Sequence, residues 1–138
     1  MKTMKILMLK GKGNCGKTTT IKKVLDVLLK ESQMIEKETA YEPDCLCVLL
    51  YKGLKIGIFS MGDYAREIVA KIDEYAEKGC DVFLCACNDR FVTPLRKMET
   101  YECSMLIHKT LCDTSISMEE ANDRDANKII NQIYLLSV

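Results

Sequence analysis

Apolar residues in this chain fall into short runs and helical stripes that alternate. Lys5 to Leu9 is a short apolar run leading into Lys10-Gly11-Lys12-Gly13, the pattern of a strand entering a glycine loop. From Thr18 the period changes. Ile21, Val24, Leu25 and Leu28 fall at i, i+3, i+4 and i+7, with Lys22, Lys23 and Asp26 elsewhere, which predicts an amphipathic helix. Glu31 to Asp44 is polar, acidic and weakly patterned, so a loop is expected there. The apolar runs Cys45–Tyr51 and Leu54–Phe59 follow, joined by Lys52-Gly53 as a tight hairpin.

Ser60-Met61-Gly62-Asp63 breaks the strand. Ala65, Ile68, Val69, Ile72, Tyr75 and Ala76 then recur at helical spacing, with Gly79 as the stop. Val82 to Cys87 is continuously apolar, as in a strand covered on both faces. Thr93-Pro94 reads as an N-cap followed by proline at the first helical position, opening a short helix to about Met98. Cys103 to Ile107 is a further strand. Ser117-x-x-Glu120 is a capping box for a last helix whose apolar face is Ala126, Ile129, Ile130 and Ile133. This alternation predicts a single-domain α/β fold over residues 1–138, with three layers, a mainly parallel sheet and one antiparallel hairpin.

Composition narrows the function classes. The 138 residues carry 20 Lys+Arg against 20 Asp+Glu, so the net charge is zero. That balance counts against a protein that coats nucleic acid or an anionic membrane. No apolar run approaches the roughly 20 residues of a membrane helix. Ile6 to Leu9 is fenced by Lys5 and Lys10 and leads to no small-residue cleavage site, so it does not read as a signal peptide. A cytoplasmic protein is the expectation.

The eight cysteines, at 15, 45, 47, 80, 85, 87, 103 and 112, include no C-x-x-C pair. Cys45/Cys47 and Cys85/Cys87 each put two sulfurs on one strand face, roughly 6.5 Å apart. They read as small buried hydrophobes in a reducing compartment. Metal binding is the alternative, and needs the two pairs side by side with facing thiolates.

The candidate chemistry lies between the first strand and the first helix. Gly11-Lys12-Gly13-Asn14-Cys15-Gly16-Lys17-Thr18 matches G-x-x-x-x-G-K-[ST]. Chance gives this pattern in roughly one chain of this length in a few hundred. Glycines let the backbone curl so that successive N–H groups face a phosphate, and the following helix, from Thr18-Thr19 on, adds its positive end. Lys17 suits the β- and γ-phosphates as a flexible point charge, and the Thr18 hydroxyl suits Mg²⁺. Cys15 fills space beside the phosphates.

On this motif the chain resembles the P-loop NTPase superfamily. The close match covers Gly11–Thr18, and the βα alternation extends it to most of the chain. The resemblance implies a nucleoside triphosphate, ATP or GTP, with Mg²⁺, and contacts from Gly11, Lys12, Gly13, Asn14, Cys15, Gly16, Lys17, Thr18 and Thr19. It also implies an acid after an apolar strand. Here Phe59 is followed by Ser60 and the nearest acid is Asp63, a departure from that pattern. Asp63, with Ser60, is preferred and Asp89 is the rival; Asp63 also fits an N-cap.

Arg90 and Arg96, two of only four arginines, follow the buried strand and form a second constellation. Nucleotide kinases, which the chain resembles here, place arginines in a comparable lid to neutralise the transferred phosphoryl group, a role strongest for Arg90. Thr39 occupies a place like the switch threonine of Ras-like GTPases. Their D-x-x-G is absent, and their N-K-x-D meets His108-Lys109-Thr110-Leu111, with Asp113 two positions late. Adenine is therefore favoured by default, with His108 a candidate for the base pocket. Lys12-Gly13-Asn14-Cys15-Gly16-Lys17-Thr18 is also similar to the K-G-G-x-G-K-[ST] loop of ParA/MinD-type ATPases, whose first lysine reaches a dimer partner's nucleotide.

The resulting expectation is Mg²⁺-dependent hydrolysis or phosphoryl transfer to a small acceptor, with Lys17, Asp63 and Arg90 as catalytic residues. The interval between the first helix and the Asp63 strand is short, leaving little room for a nucleotide acceptor. A nucleotide-dependent switch or homodimer acting through a protein partner is the alternative.

Overall fold

The computed structural model describes residues 3–37, 46–101 and 103–137. The elements run β1 (Lys5–Gly11), α1 (Lys17–Leu29), β2 (Ser32–Lys37), β3 (Leu46–Tyr51), β4 (Leu54–Phe59), α2 (Ala65–Glu77), β5 (Val82–Asn88), α3 (Thr93–Glu99), β6 (Ser104–His108) and α4 (Met118–Leu136). The strands form one six-stranded mixed sheet in the order β2-β3-β4-β5-β1-β6. β1 pairs in parallel with β5 and β6, and β4 with β5, whereas β3 runs antiparallel to both β2 and β4. Among the described strands, β3 alone therefore points against the rest.

Helices cover both faces. Ile21, Val24 and Leu28 of α1 and Ile129 and Ile133 of α4 pack on Leu7, Leu9, Leu84 and Ala86. Ile68, Ile72 and Tyr75 of α2 and Met98 of α3 pack on Ile6, Met8, Phe83 and Cys85. This explains the unbroken apolar runs of β1 and β5: both of their faces are buried, and each fully buried aliphatic side chain contributes about 1.5–3 kcal/mol. Gly57 on β4 makes room for a neighbour. A Cβ there would fall 2.1 Å from the Tyr75 ring, which meets Phe83 edge-on at 5.0 Å between centroids.

Local signals in the sequence end these elements where expected. Lys52 (φ 47°) and Gly53 (φ 84°) are both left-handed, the geometry that joins β3 to β4 as a two-residue hairpin. Gly79 (φ 80°) follows the last turn of α2. Ser117 Oγ accepts the Glu120 N–H at 3.1 Å and caps α4.

Three expectations are corrected. Within the expected Glu31–Asp44 loop, Ser32–Lys37 is a strand paired to β3, with an irregularity between Met34 and Glu36. As an edge strand it packs Met34 against the core and leaves Ile35 half exposed, so it carries no clear hydrophobic period. Thr93 is the first residue of α3 rather than its cap, because Val92 already has right-handed backbone angles. Asp63 is not an N-cap either; Tyr64 holds that place.

The paired-cysteine metal reading is overturned as well. Cys47 packs on the α1/α4 face and Cys85 and Cys87 on the α2/α3 face, so the sheet separates them. Burial raises the Cys85 thiol and pushes Cys87 up to about 11 against the pull of Lys10 and Lys17, which keeps both protonated at neutral pH. Thr39 and Cys45 lie outside the described residues. Among the described residues no helix is long and apolar enough to cross a membrane.

Candidate functional site

The carboxyl ends of β4, β5, β1 and β6 come together along one edge of the sheet, the edge where open α/β sheets present their crevices. The Gly11–Thr18 loop leaves the end of β1 there. Its base is tied to both neighbours: Asp89 N–H donates to the Gly11 carbonyl at 3.0 Å, and Lys109 N–H donates to the Lys10 carbonyl at 2.8 Å. The loop then turns through two left-handed residues, Asn14 (φ 58°) and Gly16 (φ 96°). Such alternation turns backbone N–H groups into a concavity that favours anions, and α1 begins immediately after it at Lys17. Gly16 is required twice over, since a Cβ would also lie 2.4 Å from Asn122 Oδ1.

Lys17 lies beneath this loop and is only 6% exposed. Its ammonium donates to the Gly11 carbonyl at 3.0 Å and to the Lys12 carbonyl, with Cys15 Sγ 3.8 Å away. Among the described residues no carboxylate pairs with it. A buried cation with no carboxylate partner among the described residues, under a concave set of amides, suits an anion.

A cleft of about 360 Å³ opens over this point, lined by Asn14, Gly16–Thr19, Ser60, Gly62, Asp63, Met118 and Asn122. Thr18 Oγ1 reaches the Ser60 carbonyl at 3.5 Å, joining the start of α1 to the end of β4. Asp63 is exposed at the cleft wall, where its Oδ1 accepts from Asn88 Nδ2 at 3.3 Å. Thr18 and Asp63 thus share one cleft and offer oxygen ligands, the donor type that Mg²⁺ prefers. Among the described residues no cluster of three His, Cys, Asp or Glu side chains is placed to hold a metal by itself.

Asp89 belongs to a second cleft of about 720 Å³, which it lines with Lys12, Gly13, Asn88 and Arg90. Arg96 is exposed on α3 and lines neither cleft, so the two arginines do not act as one constellation. His108 is exposed at the end of β6 and also lines neither cleft. Asp113 Oδ1 is occupied within its own loop, accepting from Ser115 N, Ser115 Oγ and Ile116 N at 2.7, 2.8 and 3.0 Å. The Ser115 hydroxyl is the main reason its carboxyl lies below the ordinary value.

Several site residues are not marked by the motif. Asn88 bridges the two clefts: its amide nitrogen donates to Asp63 while its Oδ1 accepts the Arg90 N–H at 3.0 Å. Asn122 is 3% exposed and lies 3.2 Å from Thr20 Oγ1, which donates to the Gly16 carbonyl at 2.7 Å. Asp125, fully buried, accepts from Thr110 N and Thr110 Oγ1 at 2.7 and 2.6 Å and pairs with the Lys109 ammonium at 3.1 Å. Lys109 Cβ in turn closes the space beside Gly11. The signal for these residues is polar character in an apolar place: Asn88 ends a buried strand, and Asn122 and Asp125 fall on the buried stripe of α4.

No family model, curated protein or solved structure matches this chain.

Proposed function

We propose that this chain binds a nucleoside triphosphate with Mg²⁺ on the Gly11–Thr18 loop and hydrolyses it or passes its γ-phosphoryl group to a small acceptor. The observation that carries this reading is Lys17, a buried ammonium held by loop carbonyls, with no carboxylate partner among the described residues, beneath a concave backbone. In the bound state the backbone N–H groups of Asn14 to Thr19 would cradle the phosphates, and Lys17 would exchange its carbonyl partners for phosphate oxygens. Thr18 and Asp63 are the residues that would hold Mg²⁺, which when bound neutralises charge on the β- and γ-phosphates. ATP is preferred to GTP because Asp113, the first acid to follow His108-Lys109-Thr110-Leu111 in the chain, is engaged by Ser115 and Ile116. Arg90 sits apart from the Lys17 cleft and is assigned to the incoming acceptor rather than to the metal.

The metal assignment has a direct test in the Mg²⁺ dependence of ATP affinity. Asp63→Asn is expected to raise the Mg²⁺ concentration needed for tight ATP binding by about tenfold. An unchanged Mg²⁺ dependence in Asp63→Asn, together with its loss in Asp89→Asn, would transfer the role to Asp89.

A further inference from the structure

We propose that the second cleft, between Lys12 and Arg90, is an acceptor site for a small hydroxyl-bearing phosphomonoester, an inference that rests on the nucleotide reading above. The cleft measures about 720 Å³, twice the volume of the one over Lys17 and within the range of small-molecule sites. Its walls carry two cations, Lys12 and Arg90, against one carboxylate, Asp89. A phosphomonoester dianion matches the two cations, and the planar guanidinium suits a phosphate group in particular. The Arg90 backbone is held by Asn88 Oδ1 at 3.0 Å and that of Asp89 by the Gly11 carbonyl at 3.0 Å, so both residues sit on a fixed turn rather than a free loop.

The two clefts are linked through Asn88. Asn88 lines the second cleft while its Nδ2 holds Asp63 of the first at 3.3 Å. Gly13 lines the second cleft next to Asn14 of the first, and neither its backbone nor its packing calls for glycine. It does not have a positive φ, and an added Cβ would only touch Asn88 Nδ2 at an ordinary 3.8 Å. The missing side chain leaves the wall of the second cleft open beside Asn88. An acceptor oxygen reaching across from the Asn88 side would attack the γ-phosphorus. A bond forms from acceptor oxygen to phosphorus while the bond from phosphorus to the β–γ bridging oxygen breaks. The electron pair of the broken bond stays on the nucleoside diphosphate, and the acceptor hydroxyl proton passes to the Asp89 carboxylate. The cleft thus supplies the acceptor space that the short interval before β4 does not.

The test is calorimetric titration of inorganic phosphate into protein already saturated with Mg²⁺ and a non-hydrolysable ATP analogue. Saturable phosphate binding is expected, weakened about tenfold or more by Arg90→Ala and by Lys12→Ala and partly restored in Arg90→Lys. Absence of saturable binding to the loaded protein, or binding indifferent to both substitutions, overturns the site. Failure of the analogue itself to bind is seen in the loading step, before phosphate is added, and removes the nucleotide reading and the acceptor role together. Absence of phosphate binding alongside a nucleotide-dependent doubling of mass that Lys12→Ala abolishes would assign Lys12 to the nucleotide of a second copy, and would likewise overturn the acceptor site.

Discussion

Lys17→Ala is expected to weaken Mg²⁺–ATP binding by about a hundredfold while leaving the fold intact. The ammonium would make charge-assisted bonds to phosphate oxygens, and losing them costs roughly 3 kcal/mol at 1.4 kcal/mol per decade. The cost to the free protein is small for two reasons. Removing the side chain also removes a buried charge, and the Gly11 carbonyl retains the Asp89 N–H as a partner. Calorimetric binding and thermal unfolding, measured on the same preparation, separate the two effects. A variant that binds ATP as tightly as the parent contradicts the placement of the triphosphate over Lys17.

Asp125→Ala is expected to produce the largest loss of stability. Asp125 is fully buried and compensates a Lys109 side chain that is itself 0% exposed. Without the carboxylate, Lys109 keeps the Thr110 carbonyl at 2.8 Å, and Thr110 N–H and Oγ1 lose their acceptor. Breaking a buried pair from one side costs about 3–5 kcal/mol, which for a chain of this size lowers Tm by roughly 10 °C or more. Replacing both partners, as Lys109→Met with Asp125→Leu, is expected to recover part of that loss, because the pair's desolvation penalty disappears while Thr110 still lacks its acceptor. The same pair fixes the strand end that abuts Gly11, so the loop is expected to loosen in Asp125→Ala and recover in the double variant. Scanning calorimetry on the three proteins decides it, and an Asp125→Ala midpoint close to the parent's contradicts this account of the pair.

The sequence shows best what short-range physics dictates. Period and turn chemistry locate β1, α1, the Lys52-Gly53 hairpin, α2 with Gly79, β5 and the Ser117-capped α4, because each is encoded by residues within a few positions of one another. β2 escapes because an edge strand is held by backbone pairing to β3, which leaves little trace in side-chain pattern. The site divides in the same way. The contiguous loop from Gly11 to Thr18 is legible, as is the placement of Asp63 near it. The separation of Arg90 from Arg96 is not, since it depends on the turn at Asn88 and on where α3 begins. The Lys109–Asp125 pair and the contact of Asn122 with Gly16 join residues far apart in the chain, and only strand order brings them together. Asn122 and Asp125, polar residues on the buried stripe of α4, are the local trace that these contacts leave in the sequence.

We propose that the Gly11–Thr18 loop holds the phosphates of a nucleoside triphosphate. The most direct measurement is a titration of ¹⁵N-labelled protein with Mg²⁺–ATP, followed at each backbone amide. Saturable shifts are predicted, largest at the N–H groups of Asn14 to Thr19, with smaller ones at Gly62 and Asp63. Shifts centred elsewhere, or none at saturating ATP, would contradict the claim.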